Sequence, residues 1–133
     1  MNGNLYGELF QTAVKAAEKA YADYSGFRVG AALLSADGRV FTGCNIENSS
    51  YSLTICAERT AVFKAVSEGV REFAAIAVVG SSGGDFSKPC CPCGACLQVL
   101  GEFCGGDLPV ILADGTYKLS DFMPITFTKE NLK

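Results

Sequence analysis

No histidine and no tryptophan occur anywhere in the 133-residue chain, and it has only four prolines. Without histidine, acid–base and metal chemistry must come from other side chains, carboxylates and thiols among them. Eleven Lys and Arg stand against fourteen Asp and Glu, with no basic run. A formal charge of −3 excludes the clustered cationic surface that releases counterions from nucleic acid, so no nucleic-acid partner is expected. No apolar run approaches the roughly 18 residues of a membrane span. MNGNLYGELF carries neither the basic nor the apolar region of a secretory signal. A cytoplasmic protein with no membrane partner is therefore expected. Repeats, low-complexity tracts and linkers are also missing, so residues 1–133 read as a single domain.

What is present is a folding composition. Hydrophobic residues make up 49% and charged residues 19%, enough apolar surface for a real core. Seven cysteines stand out: Cys44, Cys56, Cys90, Cys91, Cys93, Cys96 and Cys104. Cytosolic thiols stay reduced. The odd count, and four cysteines crowded into residues 90–96, favour a metal site over a disulfide framework.

Hydrophobic spacing outlines the elements. Leu5, Leu9, Val14, Ala17 and Tyr21 recur at near-helical intervals, predicting an amphipathic helix over 4–22. FRVGAALLS and ADGRVFTGCNI read as two strands around Asp37-Gly38, a hairpin signal. A second helix is expected from about Ile55, with Ala57, Ala61, Val62, Ala65 and Val66 on one face and Gly69 at its end. FAAIAVVG at 73–80 is apolar throughout, as in a strand covered on both faces. A loop, a third helix over 94–103, the strand PVILA, a turn at Asp114-Gly115 and a short strand TYKLS follow, and Pro124 breaks any long helix in the tail. That order implies a three-layer α/β/α sandwich around a mixed five-stranded sheet.

The chemistry concentrates at two predicted helix starts. Cys93 and Cys96 form a C-x-x-C pair at one, and Cys56 stands at the other. Free N–H groups and the helix dipole favour thiolate there. Three sulfurs from two helix starts would hold one tetrahedral Zn²⁺ and leave a fourth position open, the arrangement of catalytic zinc. Glu58, two residues from Cys56, would then carry protons for a metal-activated water. Arg59 is expected to donate to the sulfurs and draw back the charge of three thiolates. Other readings stay open at this point. Cys90 or Cys91 could complete a closed four-cysteine centre, C-x-x-C-x-x-C resembles part of an iron–sulfur pattern, and Glu58 could be an ordinary first-turn acid. Cys44 and Cys104 read as core or near-surface thiols.

C-A-E at 56–58 followed by P-C-G-A-C at 92–96 matches the zinc deaminase signature. With AYADYSGFRVGAAL, GCNIENSSY and KAVSEG, nearly the whole chain resembles the short, homotetrameric cytidine deaminases. The resemblance implies hydrolysis of cytidine and 2′-deoxycytidine to uridine and 2′-deoxyuridine plus ammonia, in pyrimidine salvage. It implies one Zn²⁺ per subunit on Cys56, Cys93 and Cys96, with Glu58 as proton carrier. Asn45 and Glu47 would bind the ribose hydroxyls, Phe27 would pack on the pyrimidine, and the backbone around Cys56 and Ala57 would read the base. Phe127 would close a neighbouring subunit's site, and Tyr51 would lie near the subunit contact. The chain departs from the family pattern twice, with Cys91 where a serine or similar residue is usual and Leu97 where a basic residue usually follows the last zinc cysteine. A free base, a nucleotide, a nucleoside antibiotic or a polynucleotide are the rival substrates. A zinc-binding module without catalysis is the rival class.

Overall fold

The computed structural model describes residues 2–133. The first helix, α1, runs from Asn2 to Ala17. It buries Leu9, Ala13 and Ala17 while Leu5 stays exposed. The chain turns into β1 (Arg28–Ser35) and β2 (Val40–Cys44), then α2 (Ala57–Ser67) and β3 (Phe73–Ser81). It continues through α3 (Gly94–Phe103), β4 (Pro109–Leu112), β5 (Gly115–Lys118) and a one-turn helix α4 (Leu119–Phe122). Short 3-10 turns occupy Tyr51–Leu53 and Lys129–Leu132.

The strands form one sheet in the order β2-β1-β3-β4-β5. β3 lies at its centre, antiparallel to β1 and parallel to β4. Its side chains alternate between two cores, as a doubly covered strand requires. Ile76 and Val78 face α2 and α3, whereas Ala75, Ala77 and Val79 face α1. The expected three-layer α/β/α sandwich with a mixed five-stranded sheet is what the chain forms. Among the described residues no helix is long and apolar enough to cross a membrane.

Two glycines let the helices lie directly on the sheet. A Cβ on Gly30 would stand 2.0 Å from the Ala13 carbonyl oxygen of α1, and one on Gly43 would stand 2.2 Å from that of Ala57 in α2. Neither contact is possible for a real side chain, so both helices sit where only bare backbone allows. The register brings the start of β1, the end of β2 and the end of β3 to one edge: Gly30 pairs with Cys44, and Arg28 with Ser81. The starts of α2 and α3 lie there too, since α2 follows β2 and α3 follows β3. Such an edge is where open α/β sheets take ligands.

Three expected boundaries are corrected. The first helix stops at Ala17 rather than reaching residue 22. Glu18, Lys19 and Ala20 donate to carbonyls three residues back, and the Tyr21 N–H donates to the Asn45 carbonyl at 3.0 Å instead. α2 begins at Ala57, not near Ile55, because Ile55 exchanges two 3.0 Å backbone hydrogen bonds with Ile46. The strand expected as TYKLS ends at Lys118, where the Asp121 carboxylate accepts the Lys118 N–H at 2.8 Å and starts α4. At the other end of α2, Gly69 has φ +91°. There the Gly69 and Val70 N–H groups donate back to Val66 and Ala65, a Schellman closure.

Candidate active site

Cys56 and Cys93 are the N-cap residues of α2 and α3. Cys96 lies in the first turn of α3, and its N–H donates to the Cys93 sulfur at 3.4 Å. The three sulfurs all lie within 4.8 Å of one another. Cys56 and Cys93 are 3.6 Å apart, and Cys93 and Cys96 are 3.2 Å apart. A zinc ion with tetrahedral Zn–S bonds of about 2.3 Å needs sulfurs about 3.8 Å apart, so the trio fits one ion with little adjustment. Neither Cys90 nor Cys91 belongs to the group. A metal ion held by these three sulfurs would have a fourth position open, and a closed four-sulfur centre is not what the described residues form.

Hydrogen bonds set the electrostatics of the sulfurs and Arg59, and burial sets that of Glu58. The neighbouring Cys96, then Arg59 and Cys93, draw the Cys56 thiol down to about 5. The same pairing with Cys56 pushes Cys96 upward. Arg59 donates from Nη2 to the Cys56 sulfur at 3.3 Å, and that bond raises its own affinity for the proton. Its buried Nε has no hydrogen-bond partner among the described residues. Glu58 is only 3% exposed, and burial lifts its carboxyl to about 7. A carboxyl poised near neutral pH can both accept and return a proton.

The remaining predicted residues gather around the segment before β1. Asn45 is buried. Its Oδ1 accepts the Val29 N–H at 2.8 Å and its Nδ2 donates to the Phe27 carbonyl at 2.9 Å. Glu47 accepts the N–H groups of Tyr24 and Ser25 at 3.0 and 3.1 Å through Oε1. Both residues thus hold the loop that carries Phe27. Phe27 is 40% exposed, and its ring and the Cys90 sulfur meet over Gly80, where a Cβ would stand 2.8 and 2.7 Å from them. Ala57 is fully buried beside the sulfurs, as the first residue of α2.

Two predicted residues lie apart from the sulfur trio. Tyr51 is largely exposed and packs edge-on against Tyr24, with ring centres 5.9 Å apart. Phe127 sits on the tail that crosses α3, where Gln98 donates to its carbonyl at 2.8 Å and Thr126 rests on Gly101. Its ring is exposed. Leu97, the departure beside Cys96, is buried in the core between α2, α3 and the sheet. Burial pushes the Cys90 and Cys104 thiols up to about 11. Sequence reasoning missed Ser25, Gly80 and Gln98. Ser25 meets Glu47 across 22 residues, Gly80 meets Phe27 across 53 and Cys90 across 10, and Gln98 meets Phe127 across 29, and no spacing rule connects them.

Comparison with known proteins agrees with this geometry. The family model for the cytidine and deoxycytidylate deaminase zinc-binding region matches residues 4–112. A cytidine deaminase of Sporosarcina psychrophila is 52% identical, covering 94% of this chain and 93% of its own. One from Halalkalibacterium halodurans is 50% identical, covering 93% and 95%. The crystal structure of cytidine deaminase from Burkholderia pseudomallei superposes with a TM-score of 0.82 at 49% identity, covering 91% of this chain and 98% of that one. With its three-sulfur site and its mixed sheet, the chain belongs to the cytidine and deoxycytidylate deaminase family.

Proposed function

We propose that the chain hydrolyses cytidine and 2′-deoxycytidine to uridine and 2′-deoxyuridine plus ammonia, as a step of pyrimidine salvage. The observation that carries this reading is the group of three cysteine sulfurs beside a buried carboxyl held near neutrality. Cys56, Cys93 and Cys96 would hold one zinc ion, which when bound supplies the Lewis acidity that activates water toward a pyrimidine carbon. Glu58 then accepts a proton from the attacking water and delivers it to ring N3. It next assists departure of the amino group as ammonia. Arg59, hydrogen-bonded to Cys56, offsets the charge of the thiolates. Stabilisation is concentrated on the tetrahedral adduct, so a hydrated-pyrimidine analogue should inhibit far better than product.

Phe27 packs on the base in this reading, and the backbone of Cys56 and Ala57 reads its polar edge. Asn45 and Glu47 take the sugar hydroxyls. Glu47 keeps its charge, because hydrogen bonds from Ser25 and Tyr24 hold its carboxyl below the ordinary range. A fixed carboxylate there repels phosphate and favours nucleosides over nucleotides. The subunits assemble as a homotetramer with sites at subunit contacts, in which Phe127 and Tyr51 reach a neighbour. Seven free thiols suit a reducing cytoplasm.

The test follows the ultraviolet change of cytidine with and without a chelator. Glu58→Gln should keep its zinc and lose about 10²–10⁴ in turnover. A variant that kept full activity would end this assignment.

A further inference from the structure

The geometry points to Ser25 as a positioning residue for the sugar: its hydroxyl orients the Glu47 carboxylate and ties it to Phe27. The inference rests on the deaminase reading above. Ser25 Oγ lies 2.5 Å from Glu47 Oε2 and 3.0 Å from the Phe27 nitrogen. An N–H only donates, and an ionised carboxylate only accepts. The direction of the chain is therefore fixed: Phe27 N–H donates to the Ser25 oxygen, and the Ser25 proton goes to Glu47. One hydroxyl links the residue that faces the base to the residue that faces the sugar.

Counting acceptor sites shows what the link does. A carboxylate offers about four lone-pair sites. On Glu47 the Tyr24 and Ser25 N–H groups fill those of Oε1, and the Ser25 hydroxyl fills one of Oε2. A single site remains, on Oε2. It can accept one sugar hydroxyl, and Ser25 decides where it points. The turn beneath is set by Gly26, which has φ +72° and whose N–H donates to the Ala22 carbonyl at 2.8 Å. A cleft of about 300 Å³ opens beside Ser25 and Glu47, walled by Tyr24, Tyr51 and Thr54. Removing the Ser25 hydroxyl would leave Oε2 free to turn and the Phe27 N–H unpaired.

The experiment is steady-state kinetics on the zinc-loaded enzyme with cytidine and with 2′,3′-dideoxycytidine, which lacks both ring hydroxyls. Ser25→Ala should raise KM for cytidine about tenfold, the effect of one hydrogen bond to a charged group, with kcat within about twofold. On the dideoxy substrate the change should stay under about twofold. Ser25→Thr, which keeps the hydroxyl, should restore KM for cytidine. In a Glu47→Ala background, Ser25→Ala should cost nothing further. Equal losses on both substrates, an unchanged KM, a loss confined to kcat, or additivity with Glu47→Ala would each overturn the inference and leave the deaminase reading intact. No turnover of cytidine by the unaltered chain would overturn both. Should Ser25→Ala fail to fold, Ser25→Cys, a weaker donor, must show the same split between substrates at smaller size.

Discussion

Glu58 shows how a single side chain makes a site sensitive to pH. Its carboxyl is held at about 7 by burial, against an unfolded value of about 4.3. A carboxyl raised by folding stabilises the native state fully below its unfolded value, and that contribution is lost as pH rises through the folded one. For the metal-free chain the loss between about pH 4.5 and 7.5 should be on the order of 3 kcal/mol. Cys56, lowered to about 5, works in the opposite sense: its contribution grows from about pH 5 upward. Urea unfolding of the chelated protein and of Glu58→Gln isolates the carboxyl, because Cys56 is common to both. The variant should gain stability on the unaltered chain as pH rises, and parallel pH curves would contradict the buried carboxyl. At this scale the sulfur trio and Glu58 were legible because C-A-E and P-C-G-A-C are short local motifs at helix starts, and the zinc deaminase signature joins the two across 37 residues. The bonds joining Ser25 to Glu47 were not, since 22 residues separate them and only the fold closes the gap.

Among the elements, those read most directly from sequence are the ones that local pattern decides. β3 is apolar throughout because both its faces are covered, and α3 begins at the residue after Cys93, as its C-x-x-C start implied. The misread boundaries are those where a distant partner outbids local preference. Asn45 captures Tyr21, and Ile46 captures Ile55, so two helical patterns are cut short by pairing across the sheet edge. The close seat of α2 on β2 leads to a sharper expectation. Gly43→Ala would drive a methyl into the backbone of Ala57 and Ala61, groups that cannot swing aside. The substitution should cost about 3 kcal/mol in denaturant unfolding and reduce zinc content by lifting Cys56 away from Cys93. Unchanged stability with full metal content would show that α2 is free to rise.

For the whole molecule, the surface is the informative feature. Tyr51, Leu53, Ile125, Phe127 and Leu132 are all more than half exposed, Ile125 at 91%. The proposed subunit contacts would take such groups out of water. The homotetramer proposed above predicts a light-scattering mass near four times the 14.0 kDa of one chain, and dilution to single chains should abolish turnover. A stable, fully active monomer would remove Phe127 and Tyr51 from the site. No periodicity or spacing in the sequence bears on the number of subunits; the proposed homotetramer rests on the family resemblance. The exposed groups lie on a turn and on the tail, where hydrophobic pattern carries no signal of what covers them.

The seat of Gly43 under α2 also bears on protein engineering. Grafting the cysteines and the acid onto another scaffold would transfer every reactive atom and still miss the spacing between them. A transplant succeeds only if the recipient strand also presents an empty place where the incoming helix can touch down.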